Sequence, residues 1–182
     1  MSDKNGSRRG VTIYRAADAI DINKTDFMGA PQMSDGATVG LGDAIAEGAG
    51  AGAKVMILAR QSDDEGGFSL LHVWFKANYP LPRHSHDSDC MYYVISGEAI
   101  MGNQTLRAGD SFFVPADAPY VYTAGPDGVE VLEVRHGVRT FDMKIPDASA
   151  GRWQEMVETT LANRERWKAE EISPTFAANQ NA

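Results

Sequence analysis

The chain has 182 residues and a mass of 19.7 kDa, a length that suits one domain with extensions and not two full domains. Hydrophobic residues make up 43% and charged residues 23%, which argues against a disordered, collagenous or membrane-spanning polypeptide. With 17 Lys and Arg against 25 Asp and Glu, the formal charge is -8, so phosphate backbones are repelled and nucleic acid is not an expected partner.

The opening residues MSDKNGSRRG carry no apolar stretch suited to a signal peptide and are expected to form a disordered leader over 1–10. The β-branched run at 11–15 predicts a short edge strand, and 16–22 a helical turn. The glycine-rich stretch 29–53 shows little periodicity and reads as loop, so 11–53 is an N-terminal extension. From Lys54 the texture changes to short runs of Val, Ile, Leu, Phe and Tyr separated by turn clusters such as SDDEGG (62–67), SGE (96–98) and AGPDG (124–128). Strands are expected near 54–60, 68–77, 83–87, 90–95, 98–102, 111–114, 119–124 and 129–136, close enough for a sandwich, barrel or jelly roll over 54–146. In 147–171 the period switches. Trp153, Met156, Val157, Thr160, Leu161, Arg164 and Trp167 recur at spacings of three and four, an amphipathic helix that packs on the barrel's outer face or on a second subunit. The tail 172–182 is expected to fray. Cys90 is the single cysteine, and the longest apolar run is about five residues (VMILA, 55–59) against the roughly 20 a membrane span needs. A cytoplasmic protein without membrane attachment is the expectation.

The densest polar cluster is Arg83-His84-Ser85-His86-Asp87-Ser88-Asp89-Cys90. On a strand, residues two apart share a face, so His84 and His86 can present both imidazoles to one point, as a metal requires. The segment His84-x-His86-x-x-x-Cys90 with Gly97, and Gly109 with Pro115 and Tyr120, resembles the two motifs of the cupin superfamily, H-x-H-x(3,4)-E-x(6)-G and G-x(5)-P-x-G-x(2)-H. The resemblance covers about 68–136 and implies an all-β, cupin-like antiparallel β-barrel or jelly roll with an N-terminal extension and a C-terminal helix. It departs from the family where Cys90 replaces the Glu ligand, Tyr120 the last His ligand and Asp117 the glycine of the second motif.

Three site chemistries stay open. A divalent ion (Fe, Mn, Ni or Zn) takes His84, His86 and the Cys90 thiolate, with Tyr120 as ligand or proton donor. Alternatively Asp87, Asp89 or Glu133 supplies the anionic ligand; a hairpin at AGPDG would set Glu133 opposite Tyr120. In the third, no metal is held and the histidines and tyrosines bind an organic ligand directly. Covalent catalysis through Cys90, its pKa lowered by the histidines, is a minor alternative to a small buried cysteine. His72 and Trp74 line the pocket mouth, with Lys76 as an anion anchor, if their strand face is the interior one; a solvated or interface face is the competing reading. Tyr92 and Tyr122 contribute pocket wall and core, and His136 reads as a surface residue. The resemblance implies a small-molecule enzyme, a dioxygenase, isomerase or lyase, or else a non-catalytic binding or sensing module. In the enzyme reading a metal on His84 and His86 works with Tyr120 or Glu133 as catalytic proton donor or acceptor, and a structural dimer with a vestigial pocket is the third reading. Leu132 and Val134 pointing outward predict a homodimer.

Overall fold

A computed structural model describes residues 10–61, 67–136 and 142–180. The chain is mostly antiparallel β-sheet. In order it forms β1 (Ile20–Asp21), β2 (Gln32–Met33), α1 (Asp35–Ala46), β3 (Ala53–Arg60), β4 (Ser69–Phe75), β5 (Ser85–His86), β6 (Cys90–Met101), β7 (Gln104–Arg107), β8 (Ser111–Val114), β9 (Thr123–Arg135), β10 (Met143–Ile145), α2 (Ala150–Ala169) and α3 (Pro174–Gln180). One sheet runs β1-β3-β4-β9-β6-β7, with β8 also paired to β6; the other runs β2-β10-β5. Neither sheet closes on itself among the described residues, so the expected closed barrel is not formed there.

Strand alternation builds the core. Leu71, Val73 and Phe75 of β4, Cys90, Tyr92 and Val94 of β6, and Val129 and Val131 of β9 are buried in one cluster with Tyr79, Tyr122 and Trp167. The expected hairpin at AGPDG does not exist. Strand β9 runs through it, because Ala99 pairs with Ala124 and Gly97 with Val129, leaving 125–128 bulged against Glu98. Gly97 sits at φ +71°, and a Cβ there would lie 2.1 Å from the Gly128 carbonyl oxygen, which is why only glycine fits this position.

The stretch 29–53 holds a helix that glycine content concealed. The Ser34 hydroxyl caps α1 by accepting the Ala37 N–H at 3.1 Å, and Ala37, Gly40 and Ala44 form its buried stripe. A Cβ on Gly40 would fall 2.3 Å from Cγ of Trp153, so the glycines that lower helix propensity let α1 touch α2 closely. The expected strand at 11–15 does not form, and Val11 is 95% exposed. The expected leader 1–10 lies almost wholly outside the described residues, as does most of the SDDEGG turn. Helix α2 matches expectation and packs on α1 and on the turn Ala49–Gly52. The tail does not fray at once: α3 covers the outward face of β4 and β9, where the Thr175 N–H donates to Glu130 at 3.1 Å. No helix among the described residues is long and apolar enough to cross a membrane.

Candidate functional site

A cavity of about 300 Å³ opens between the inward face of the large sheet and the N-terminal extension. Val73 and Phe75 of β4 form its sheet wall, while Ile22, Met28, Leu41 and Ile45 of the extension and Met143 of β10 close it from the other side. His84, His86, Tyr120 and Glu133 line it together, with Asn23 as a further polar side chain. His84 and His86 are 3% and 4% exposed, with ring centroids 5.0 Å apart, so the strand-parity expectation holds. The backbone of His84 bridges to that of Tyr120, and β5 pairs with β10, which fixes the two rings from opposite sides.

Both imidazoles turn Nδ1 to a backbone carbonyl, His84 to Pro82 at 2.8 Å and His86 to Asp142 at 3.1 Å. A carbonyl only accepts, so Nδ1 carries the proton in each neutral ring. Nε2 of His84 lies 2.9 Å from the Tyr120 hydroxyl, which lies 2.5 Å from that of Tyr92. Arg135, entirely buried, donates to Tyr92 at 3.2 Å and to Glu133 at 2.9 Å. Burial, with the Arg135 charge in support, pushes His84 down to about 4 and His86 to about 2, so both are neutral at physiological pH. Burial raises Glu133 and the guanidinium opposes it. Burial also drives the Tyr120 and Tyr92 phenols well above their ordinary values.

Glu133 and Tyr120 do reach the same cavity, but not by the expected route. Glu133 stands opposite Tyr92 in the ladder, and no hairpin sets it against Tyr120. Cys90 is buried behind the cavity beside Tyr92 and Arg135, and burial first, then Glu133, pushes its thiol up to about 11. It is therefore a protonated core residue and not an activated nucleophile. Asp87 and Asp89 are exposed, and Asp89 accepts the Ala116 N–H at 2.8 Å. Asp117 adopts the left-handed φ of +59° that its motif position requires and pairs with Lys144 at 2.6 Å. Tyr92 and Tyr122 stand behind Tyr120 as aromatic wall, with Phe112 stacked on Tyr92 at 4.5 Å. His72 and Trp74 are misplaced by the interior reading. They lie on the opposite face of β4, where His72 Nε2 meets Glu130 at 2.7 Å under Phe176. Lys76, buried there too, binds the carbonyls of Trp167 and Glu170 and anchors the C-terminal segment, not a substrate. His136 is exposed, as expected.

No family model matches the sequence, and no curated protein matches it. Solved structures do. The polyketide cyclase RemF from Streptomyces resistomycificus superposes with a TM-score of 0.51 at 13% identity, over 84% of this chain and 97% of that one. An RmlC-like cupin from Shewanella frigidimarina is 25% identical over 49% of this chain and 79% of its own, with a TM-score of 0.43. KdgF from a Halomonas species is 22% identical over 48% and 81%, at 0.42. The cyclase shares the fold of this chain. The paired inward histidines and the left-handed Gly97 and Gly109 stand at the positions that carry the resemblance to the cupin motifs.

The resemblance to the cupin motifs raises the question of a metal, and the donor set answers it. Nδ1 of each histidine is oriented by a carbonyl, as in metal ligands. The remaining donors do not follow: burial keeps the Cys90 thiol protonated, the Tyr120 hydroxyl occupies Nε2 of His84, and Glu133 is committed to Arg135. Among the described residues no three of His, Cys, Asp and Glu gather so as to hold an ion. The residues present do not fit a divalent metal. Sequence reasoning missed Arg135, although the alternation that turns Glu133 inward also turns Arg135 inward.

Proposed function

We propose that the chain is a small-molecule enzyme of the cupin type that moves a proton within an uncharged, largely apolar substrate, the chemistry of an isomerase or a lyase. The observation that carries this reading is the pair of buried imidazoles, His84 and His86, that reach one mostly apolar cavity. A neutral imidazole with its proton on Nδ1 offers an Nε2 lone pair as general base, and burial in a dry site strengthens any hydrogen bond to the substrate. His84 and His86 together form the basic end of the cavity in this scheme. Tyr120 holds the His84 ring through Nε2, and Glu133 balances Arg135, so a net-neutral site selects a net-neutral ligand. The dioxygenase branch needs an oxygen-activating centre that these donors do not build.

The competing reading, a binding or sensing module, draws on the saturation of Tyr120 by Tyr92 and His84. One series of experiments separates the two. Thermal shifts with a panel of ketones, phenols and their carboxylated analogues should show stabilisation by the uncharged members only. Incubation with the best binder should then change it chemically, and His86→Ala should slow that change by about 100-fold or more with little loss of binding. Binding without chemical change favours the sensor; stabilisation by the carboxylates alone refutes both.

We also propose a homodimer. Met91, Tyr93, Phe113 and Val134, adjacent through the β6–β8 and β6–β9 ladders, are 46%, 47%, 53% and 37% exposed on the outward face. An uncharged patch is where two copies carrying -8 each can approach most closely.

A further inference from the structure

The buried hydrogen bonds between Arg135 and Pro82 run in one direction, and the Pro82 end sets it. The Pro82 carbonyl only accepts, so Nδ1 of His84 holds the proton and Nε2 accepts from Tyr120 at 2.9 Å. With its own proton given to His84, Tyr120 accepts from Tyr92 at 2.5 Å. A guanidinium has only donors, so Arg135 donates to the Tyr92 oxygen at 3.2 Å and closes the series in the same sense.

We propose that Arg135 is the permanent cation of this site, holding the Tyr92–Tyr120–His84 bonds in one orientation and standing where a cupin with a complete ligand set would have its metal ion's charge. Cys90 and Tyr120, the two departures from the family's ligands, both lie against this network, so the three residues act as one exchange of a divalent ion for a guanidinium. An ion between His84 and His86 would have to displace the Tyr120 hydroxyl from Nε2 and would find the carboxylate of the cavity, Glu133, already neutralised by Arg135. Arg135 is thus a positioning residue, and this inference holds whichever molecule fills the cavity.

The unaltered full chain gives the first test. Nitrogen–proton correlation spectra of histidine-labelled protein should show His84 as the Nδ1–H tautomer from about pH 5 to about pH 8. Titration with zinc, nickel, manganese or ferrous ion should show no stoichiometric uptake. An Nε2–H tautomer, or an equivalent of metal whose binding His84→Ala abolishes, overturns the proposal. Variants then isolate the charge. Cys90→Glu with Tyr120→His should bind no metal while Arg135 is present and should bind it once Arg135→Gln is added; equal binding by both overturns the proposal. Because loss of Arg135 alone strands Glu133, the pair Glu133→Gln with Arg135→Gln supplies a charge-balanced variant. In it Cys90→Glu with Tyr120→His should likewise take up metal; no uptake there overturns the proposal.

Discussion

Tyr120→Phe tests the hydrogen-bond chain at its centre. The substitution removes one oxygen and changes little in shape, so the aromatic contacts with His84 (4.4 Å) and Tyr92 (5.7 Å) persist. Two partners are orphaned, the Tyr92 proton and Nε2 of His84. A buried polar group left unsatisfied costs about 1–3 kcal/mol. His84 faces the cavity, where water can restore its bond, so its share falls at the low end and the expected loss is about 2–4 kcal/mol. For a chain of this length that lowers Tm by roughly 5–12 °C, and urea denaturation reads the same loss as a shifted midpoint at constant m. Tyr92→Phe removes the neighbouring link. If the two hydroxyls act through each other, the double variant costs less than the sum of the singles by about 1 kcal/mol or more. A loss below about 0.5 kcal/mol for Tyr120→Phe, or strict additivity with Tyr92→Phe, would refute the reasoning.

Acid should destabilise the chain early. His84 and His86 have folded pKa values of about 4 and about 2, below the unfolded 6.5, so the unfolded state binds more protons and each histidine removes about 1.4 kcal/mol per pH unit as pH falls from 6.5 toward its folded value. Unfolding free energies across that window should show a slope near two protons, and His84→Gln should halve it. Gly97→Ala forces a side chain to φ +71° and into the Gly128 carbonyl oxygen, a cost of about 3 kcal/mol readable by urea denaturation; a neutral substitution would mean that the bulge relaxes freely. The Cys90 thiol should resist iodoacetamide in the native chain and react once in denaturant, and rapid native alkylation would contradict its burial and its pKa of about 11. Light scattering should return about twice 19.7 kDa, with Phe113→Lys reverting to the single-chain mass; a monomer at micromolar concentration rejects the dimer.

Much of the fold was legible because its signals are local. Alternation marked β3, β4 and β6, the three-and-four spacing marked α2, and the motif glycines marked turns whose positive φ only glycine or a tolerant residue such as Asp117 accepts. What escaped depended on partners far along the chain. Helix α1 looks like loop because Gly40 is poor for an isolated helix, and it is a helix because Trp153, more than a hundred residues later, needs that gap filled by no side chain. The AGPDG segment has every mark of a hairpin turn, yet the two flanking strands are one, since β6 pairs with both sides of it. His72 and Trp74 could not be assigned to a face by parity alone. The deciding fact is that α3 covers them, and α3 carries no apolar run to announce itself.

The site divides along the same line. His84 and His86 were readable because ligand spacing on a strand is a local property, and both rings do converge. Their chemistry was not, because it is set by Arg135 on a strand about fifty residues away. One inference was nevertheless within reach. If Leu132 and Val134 face outward, Glu133 and Arg135 must both face inward, and an arginine pointing into a core that already holds two histidines leaves little electrostatic room for a cation between them. Read that way, Cys90 and Tyr120 are not gaps in a metal site. A thiol that burial keeps protonated and a phenol that can pass a hydrogen bond from Tyr92 to His84 are the neutral groups a fixed guanidinium calls for, and a carboxylate or a third imidazole in their places would compete with Glu133 for the same charge.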